Sequence, residues 1–258
     1  MADRRRTTLD AVLIILPPSE TKSDGGTGPA LRLEGLTLPT LTPIRRRIAD
    51  ALVDLADDVE ASAAALGLGR TQLAEVARNA SLFSAPTRPA LERYTGVLYD
   101  AIDVAALSAA ARRRADERLL IGSALFGVVG ATDLIPAYRL SAASRLPNLG
   151  TLGSQWKPDL TTALNGLGSD LVVDLRSGGY RALGPVPGAV EVTVLTEKPD
   201  GTRSVVSHFN KHHKGVLVSS LLRSRRTVHD INVLAAVAAG GGQRTEIASD
   251  RELVILTD

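Results

Sequence analysis

The chain contains no cysteine. Disulfides, cysteine-based metal sites and thiol catalysis are therefore excluded, and the composition is compatible with a cytoplasmic protein. Aromatic residues are 3% of 258 positions, too few for base stacking on single-stranded nucleic acid to be a main binding mode. No apolar run approaches the ~20 residues that span a bilayer; the longest, Leu119–Val129, contains Gly122, Ser123 and Gly127. Arg4-Arg5-Arg6 before Ala11–Leu16 faintly resembles an export signal. The apolar run is too short, Asp10 interrupts its approach and no small-residue cleavage site follows, so residues 1–10 read as a flexible basic end. The Walker phosphate loop, GxSxG, HExxH and a GxGxxG opening a helix are all missing.

Acid is also missing locally. From Gly201 to His229 there is no Asp or Glu, but there are Arg203, Lys211, Lys214, Arg223, Arg225, Arg226 and all four histidines. Net charge over the whole chain is only +2, so this is a local field. A concentrated cationic surface attracts phosphate in a salt-dependent way, which points to a polyanion or a phosphorylated small molecule. His208 and His212 lie four apart, as on one helix face, but Lys211 and Lys214 would repel a cation and no carboxylate is near. No metal site and no cofactor are expected.

The hydrophobic fraction, 44%, is enough for a real core. Ala11–Leu16 reads as a central strand stopped by Pro17-Pro18. Residues 42–115 read as a helical segment. Thr42-Pro43 opens a long amphipathic helix through Ile44, Ile48, Leu52, Leu55, Val59, Ala63 and Leu66. Arg45-Arg46-Arg47 near its start opposes the helix dipole, so another demand placed these residues. Gly67, Gly69 and Arg70 then form a glycine turn before a second helix. That arrangement resembles a helix-hairpin-helix, whose turn amides would hold a DNA phosphate; an ordinary αα-turn with a glycine C-cap is the commoner alternative. Leu91–Ala111 reads as helix ended by Arg112-Arg113-Arg114. Leu119–Ala124, Leu171–Leu175, Val190–Leu195, Arg203–Ser207 and Leu253–Leu256 read as strands, and Ser154–Leu164, Gly215–Leu222 and Asp230–Ala239 as helices. The mixture has no regular βαβ rhythm, so the expectation is a mixed α/β (α+β) fold in a single compact domain, residues 1–258, with a central mixed sheet.

Four polar clusters follow probable core strands: Pro17–Lys22, Asp133–Leu140, Asp174–Tyr180 and residues 208–215. Such clusters often converge on one cleft. With Lys22, Arg139, Arg176, Lys211 and Lys214 all cationic, a positively charged cleft is expected. Singly, each has a plainer role: a helix start, a core-edge tyrosine, a structural ion pair.

The same segments resemble the YaaA peroxide-stress family. Pro17, Pro18, Ser19, Glu20 and Lys22 match its first hallmark. Leu125, Phe126, Gly127, Val128, Asp133, Leu134, Ile135, Pro136, Tyr138, Arg139 and Leu140 match the second. Trp156, Ser177, Tyr180, Lys211, Lys214, Gly215, Glu252, Leu253 and Val254 fit the rest. Gly130-Ala131 stands where the family often has Arg-Pro, and residues 40–115 match only in helical character. The resemblance implies a positively charged cleft, a helix-hairpin-helix and non-specific binding of double-stranded DNA. It also implies an association with peroxide survival and lower free iron. Lys22, Arg139, Arg176, Lys211, Lys214, Arg223, Arg225 and Arg226 are the expected phosphate contacts. The alternative is an enzyme acting on a nucleotide or other anionic small molecule, with Ser19, Glu20, Lys22, Tyr138 and Lys211 as its reactive set. A third reading gives the basic cleft to solubility alone, with an iron-handling or protein-binding role elsewhere.

Overall fold

The computed structural model describes residues 12–205 and 210–257. The basic segment 1–10, His208 and Phe209 lie outside the described residues, as do the ends of the strands expected to begin at Ala11 and finish at Ser207.

Val12–Leu16 are fully buried, as an unbroken aliphatic run in a central strand must be. β1 (Leu13–Leu16) is followed by α1 (Thr42–Leu55), α2 (Val59–Leu66), α3 (Ala74–Ala80), β2 (Arg88–Pro89), α4 (Ala90–Arg93), α5 (Val97–Ile102) and α6 (Ala109–Arg118). Then come β3 (Leu119–Ser123), β4 (Gly127–Gly130), β5 (Leu134–Ile135), β6 (Arg145–Leu146), β7 (Gly150–Thr151) and α7 (Leu152–Asn165). The remainder is β8 (Val172–Asp174), α8 (Gly178–Arg181), β9 (Val190–Glu197), β10 (Arg203–Val205), α9 (Asn210–Arg223), α10 (Ile231–Gly240), β11 (Arg244–Ser249) and β12 (Glu252–Thr257). The architecture is a mixed α/β domain with one mixed eight-stranded sheet among the described residues, ordered β11-β12-β9-β8-β1-β3-β4 with β10 beside β9.

The five inner strands β12, β9, β8, β1 and β3 are parallel, and β4, β10 and β11 run against them. β1 sits between β3 on one side and β8 on the other. The chain leaves β1 toward β3 and leaves β8 toward β9, in opposite directions. The loops after β1 and β8 therefore part, and a crevice opens at the strands' carboxyl ends, where open α/β sheets bind ligands.

Several expected elements are cut differently. The helix expected from Thr42 to Leu66 breaks at residues 56–58, where Asp58 accepts a hydrogen bond from Ala61 N at 2.9 Å and caps α2. Leu91–Ala111 is three short pieces, and α6 runs through the arginine triplet to Arg118. Arg114 instead caps a different helix, donating to Leu222 O at 2.6 Å and Arg223 O at 3.4 Å at the end of α9. Arg45 meets the demand that overrode the dipole. It is fully buried and donates to the carbonyls of Thr37, Leu38, Phe126 and Val128.

Three hallmark residues, Trp156, Gly127 and Gly215, are explained by contact. Trp156 Nε1 donates to Ala124 O at 2.8 Å, and its ring lies against Gly127, at φ +72°, where a methyl would come within 2.8 Å of the ring. Gly215 lets α9 meet α5: a methyl there would overlap Leu98 O and sit 2.7 Å from Ala101 Cβ. Gly215→Ala should therefore force α9 off α5 and lower the midpoint of thermal unfolding, by about 1–3 kcal/mol of stability or more. A calorimetric midpoint equal to the parent's would contradict the close approach.

Candidate functional site

Lys22 is the centre of the site. It stands in the loop after β1, bridged to Tyr94 and only 7% exposed. Its Nζ donates to Ser19 O at 3.0 Å and to Glu20 O at 3.4 Å. It also lies 4.2 Å from the Tyr138 ring centroid and 5.3 Å from that of Tyr94. Burial, with the Arg139 guanidinium adding to it, pushes the Lys22 amine down from 10.5 to about 7. An amine at that value is half neutral at neutral pH and can take or give a proton, or attack an electrophile.

All four tyrosines of the chain gather here. Tyr94 Oη is 2.8 Å from Tyr138 Oη, which is 2.7 Å from Ser123 Oγ. Ser123 Oγ already accepts from the amides of Leu125 and Phe126, so its own proton is directed to Tyr138. Tyr99 stacks on Tyr94 at 5.6 Å and donates to Pro17 O at 2.8 Å. Tyr180 is within the field of Glu20 and Arg139, and burial raises its phenol to about 12. The phenols of Tyr94, Tyr99 and Tyr138 are raised as well, chiefly by burial. They remain neutral hydroxyls at physiological pH. In a chain so poor in aromatics, this concentration at one strand end is what the sequence's composition conceals.

Arg139 and Glu20 form an ion pair at 2.5 Å at the edge of the site. Arg139 is fixed by its backbone: buried Asn79, on α3, accepts from Arg139 N at 2.8 Å and donates to Arg139 O at 2.9 Å. Lys211, on the first turn of α9, lines a cavity of about 350 Å³ together with Pro17–Thr21 and Thr95–Tyr99. Ser19, Glu20, Lys22, Tyr138, Arg139 and Lys211 thus come to one place.

The other expected contacts do not. Arg176 is 1% exposed and grips Asp174 through two bonds, Nε–Oδ1 at 2.9 Å and Nη2–Oδ2 at 2.7 Å, with Gly184 O taking a third. It is a structural ion pair and offers no face to a phosphate. Lys214 is drawn inward to Leu175 O at 3.4 Å, and burial, then Arg181, lowers its amine. Arg223, Arg225 and Arg226 lie at the opposite end of α9. Twelve residues at 1.5 Å each put Arg223 about 18 Å from Lys211. Arg223 there donates to Ser219 Oγ and reaches Ala106 O. The acid-free stretch is therefore two basic ends of one helix, not one cleft wall.

At the glycine turn, Gly67 is the left-handed C-cap of α2 at φ +64°. The Gly67 and Leu68 amides donate to Ala63 O, and the Gly69 amide to Gln72 Oε1 at 3.1 Å. Arg70 opens a short 3-10 turn before α3. The turn amides of Gly67, Leu68 and Gly69 are thus bonded within the chain, as in an ordinary glycine-capped αα-turn. The buried polar residues Asn79 and Arg93 carry no signal in the sequence, and Arg45 shows there only as a cation at a helix start. Only their long-range carbonyl partners give them meaning.

Among the described residues, no group of three metal-ligating side chains occurs, and no helix is long and apolar enough to cross a membrane. A model for the family described as "Peroxide stress protein YaaA" matches residues 12–241. A UPF0246 protein of Corynebacterium efficiens is 46% identical over 245 residues, 93% of this chain and 97% of that protein. One from Streptomyces coelicolor is 46% identical over 215 residues, 82% and 83% of the two chains. One from Shewanella loihica is 31% identical over 181 residues, 67% and 69% of the two chains. Match length, identity and the hallmark residues at the crevice agree: this chain belongs to the peroxide stress protein YaaA family, whose curated relatives carry the name UPF0246.

Proposed function

We propose that the chain is an enzyme of the peroxide response that uses Lys22 for acid–base or nucleophilic chemistry on a small anionic molecule. One observation carries the reading: a buried amine brought to about 7, at the switch point of a parallel sheet. Strong perturbation by burial plus a specific charge partner, at a cleft, is the usual signature of a reactive group. Arg139 supplies that charge, and the neutral tyrosine and serine hydroxyls supply positioned proton donors. The adjoining cavity is of small-molecule size. Duplex binding draws on fewer residues than the resemblance implied, since Arg176 and Lys214 are engaged internally. In this reading any lowering of free iron is downstream of the reaction.

The test is the titration of Lys22. Acetylation by acetic anhydride, followed residue by residue with mass spectrometry against exposed Lys157, should be half-maximal near pH 7 for Lys22. A midpoint at 10.5 would remove the reading. Stability gives an independent check. Above pH 7 the folded Lys22 has lost its proton while the unfolded one keeps it up to 10.5. The unfolded state then binds more protons, so this group makes stability rise with pH between 7 and 10.5 and withdraws that contribution as pH falls through 7. Urea midpoints of Lys22→Met should lack that rise.

A further inference from the structure

We propose that the cavity between Pro17–Thr21, Thr95–Tyr99 and Lys211 is a seat for the phosphate of a phosphate monoester. The proposal rests on the enzyme reading only in taking the bound molecule to be that enzyme's substrate; the seat itself is argued from its own atoms.

Ser19 Oγ and Thr21 Oγ1 are 3.0 Å apart, and Thr21 Oγ1 reaches Thr95 O at a long 3.3 Å. Both hydroxyls can rotate toward an oxyanion without giving up a strong bond. Among the described residues, Lys211 is the single cation of the lining. Glu20 is its single carboxylate there, and that charge is held and neutralised by Arg139. Gly96 faces the hydroxyl pair at φ +100°, and a methyl there would stand 3.4 Å from Thr21 Oγ1 and 3.5 Å from Ser19 Oγ. Any side chain at residue 96 would fill the space an oxygen ligand needs.

The loop is set before a ligand arrives. Two consecutive prolines stiffen its start, Tyr99 holds Pro17 O, and Lys22 holds Ser19 O. The donor set also selects the ligand. A planar carboxylate is best met by a guanidinium fork, and the described lining contains none. Two hydroxyls and a point-charge ammonium suit a compact tetrahedral dianion. A volume of about 350 Å³ admits a phosphate with a small organic group and not a duplex.

The experiment is calorimetric titration of the full chain with phenyl phosphate, and with benzoate as the planar anion on the same ring. Phenyl phosphate should bind saturably and benzoate at least tenfold more weakly. Lys211→Met and Gly96→Ala should each weaken phenyl phosphate at least tenfold. Because residue 96 has a positive φ, Ser19→Ala with Thr21→Val is the second variant, with the same loss expected. Equal affinity for benzoate, or unchanged phenyl phosphate affinity in Lys211→Met and in the double variant, overturns the seat. Phenyl phosphate binding as expected beside a Lys22 that titrates at 10.5 supports the seat and removes the enzyme reading. No phenyl phosphate binding beside a Lys22 that titrates near 7 does the reverse.

Discussion

Replacing Lys22 with methionine should abolish protection against hydrogen peroxide in a host that depends on this chain, while affinity for duplex DNA stays nearly the same. Positioned acid–base groups contribute about 10²- to 10⁴-fold to a rate, and Lys22 is the amine that burial brings to about 7. One phosphate contact among many changes the log–log salt slope of duplex binding by only about 0.9. Lys22 is also 7% exposed, so its direct share of any phosphate contact is small. The comparison is survival after a peroxide challenge beside duplex affinity at two salt concentrations, with Lys211→Ala plus Lys214→Ala as the charge-removal control. Parallel loss of survival and duplex affinity in Lys22→Met would return the protein to plain DNA binding. Methionine keeps the volume of the stem, and circular dichroism checks that the loop's loss of two hydrogen bonds has not cost the fold.

Arg45→Met should destabilise the fold more than Gly215→Ala or any substitution in the crevice, by about 3–5 kcal/mol, the range for removing one member of a fully buried polar set. Four carbonyls would lose this donor, those of Phe126 and Val128 in fully buried bonds and those of Thr37 and Leu38 in partly buried ones. Burial already pushes the Arg45 guanidinium down to about 10, with the Asp133 carboxylate opposing it, yet it remains charged at neutral pH. For a chain of this size, about 1 kcal/mol corresponds to roughly 2–4 °C, so a drop on the order of 10 °C is expected in differential scanning calorimetry. The adjacent Arg46→Ala provides the contrast. Arg46 is exposed and meets Glu34, at 3.3 Å, and the Phe83 ring, 5.1 Å from its guanidinium, so its loss should cost about 1 kcal/mol or less. Similar shifts for both would mean that Arg45 is not the tie between the loop at Thr37 and the strand at Val128.

What is legible in the sequence divides along a physical line. Val12–Leu16 and Leu119–Ser123 announce themselves because strands buried on both faces are continuous apolar runs, and their polar ends then follow by position. Ser19, Glu20 and Lys22, directly after the first of these runs, are legible for that reason; Lys211 follows an exposed strand, β10, and is legible only by its charge and the family hallmark. Arg176 misleads as a phosphate contact although its partner is in view. Asp174 is two residues earlier, on the same side of an extended chain, which is the spacing of an ion pair. β4 and β11 escape a sequence reading because Gly127–Gly130 and Arg244–Ser249 lack the aliphatic signature; each is an edge strand held by its neighbour. Asn79 cannot be found from sequence, since it acts on the backbone of Arg139, 60 residues away; Arg45 shows only as a cation misplaced at a helix start, and its carbonyls at Phe126 and Val128 are as remote.

The place of β1 bears on how fast the molecule assembles. Its four residues find partners only in β3 and β8, each more than a hundred residues further along the chain. Closing loops of that length costs entropy before any pairing repays it, and parallel pairing offers no hairpin shortcut. Until Leu119–Ile121 and Val172–Asp174 arrive, the Leu-Ile-Ile-Leu run is an unpaired, wholly apolar strand in a growing chain. This is the kind of segment that traps folding intermediates and recruits other chains. The strand that carries Lys22 into place is therefore also expected to be the slow step and the sticky one, so yield on refolding from urea should fall with protein concentration.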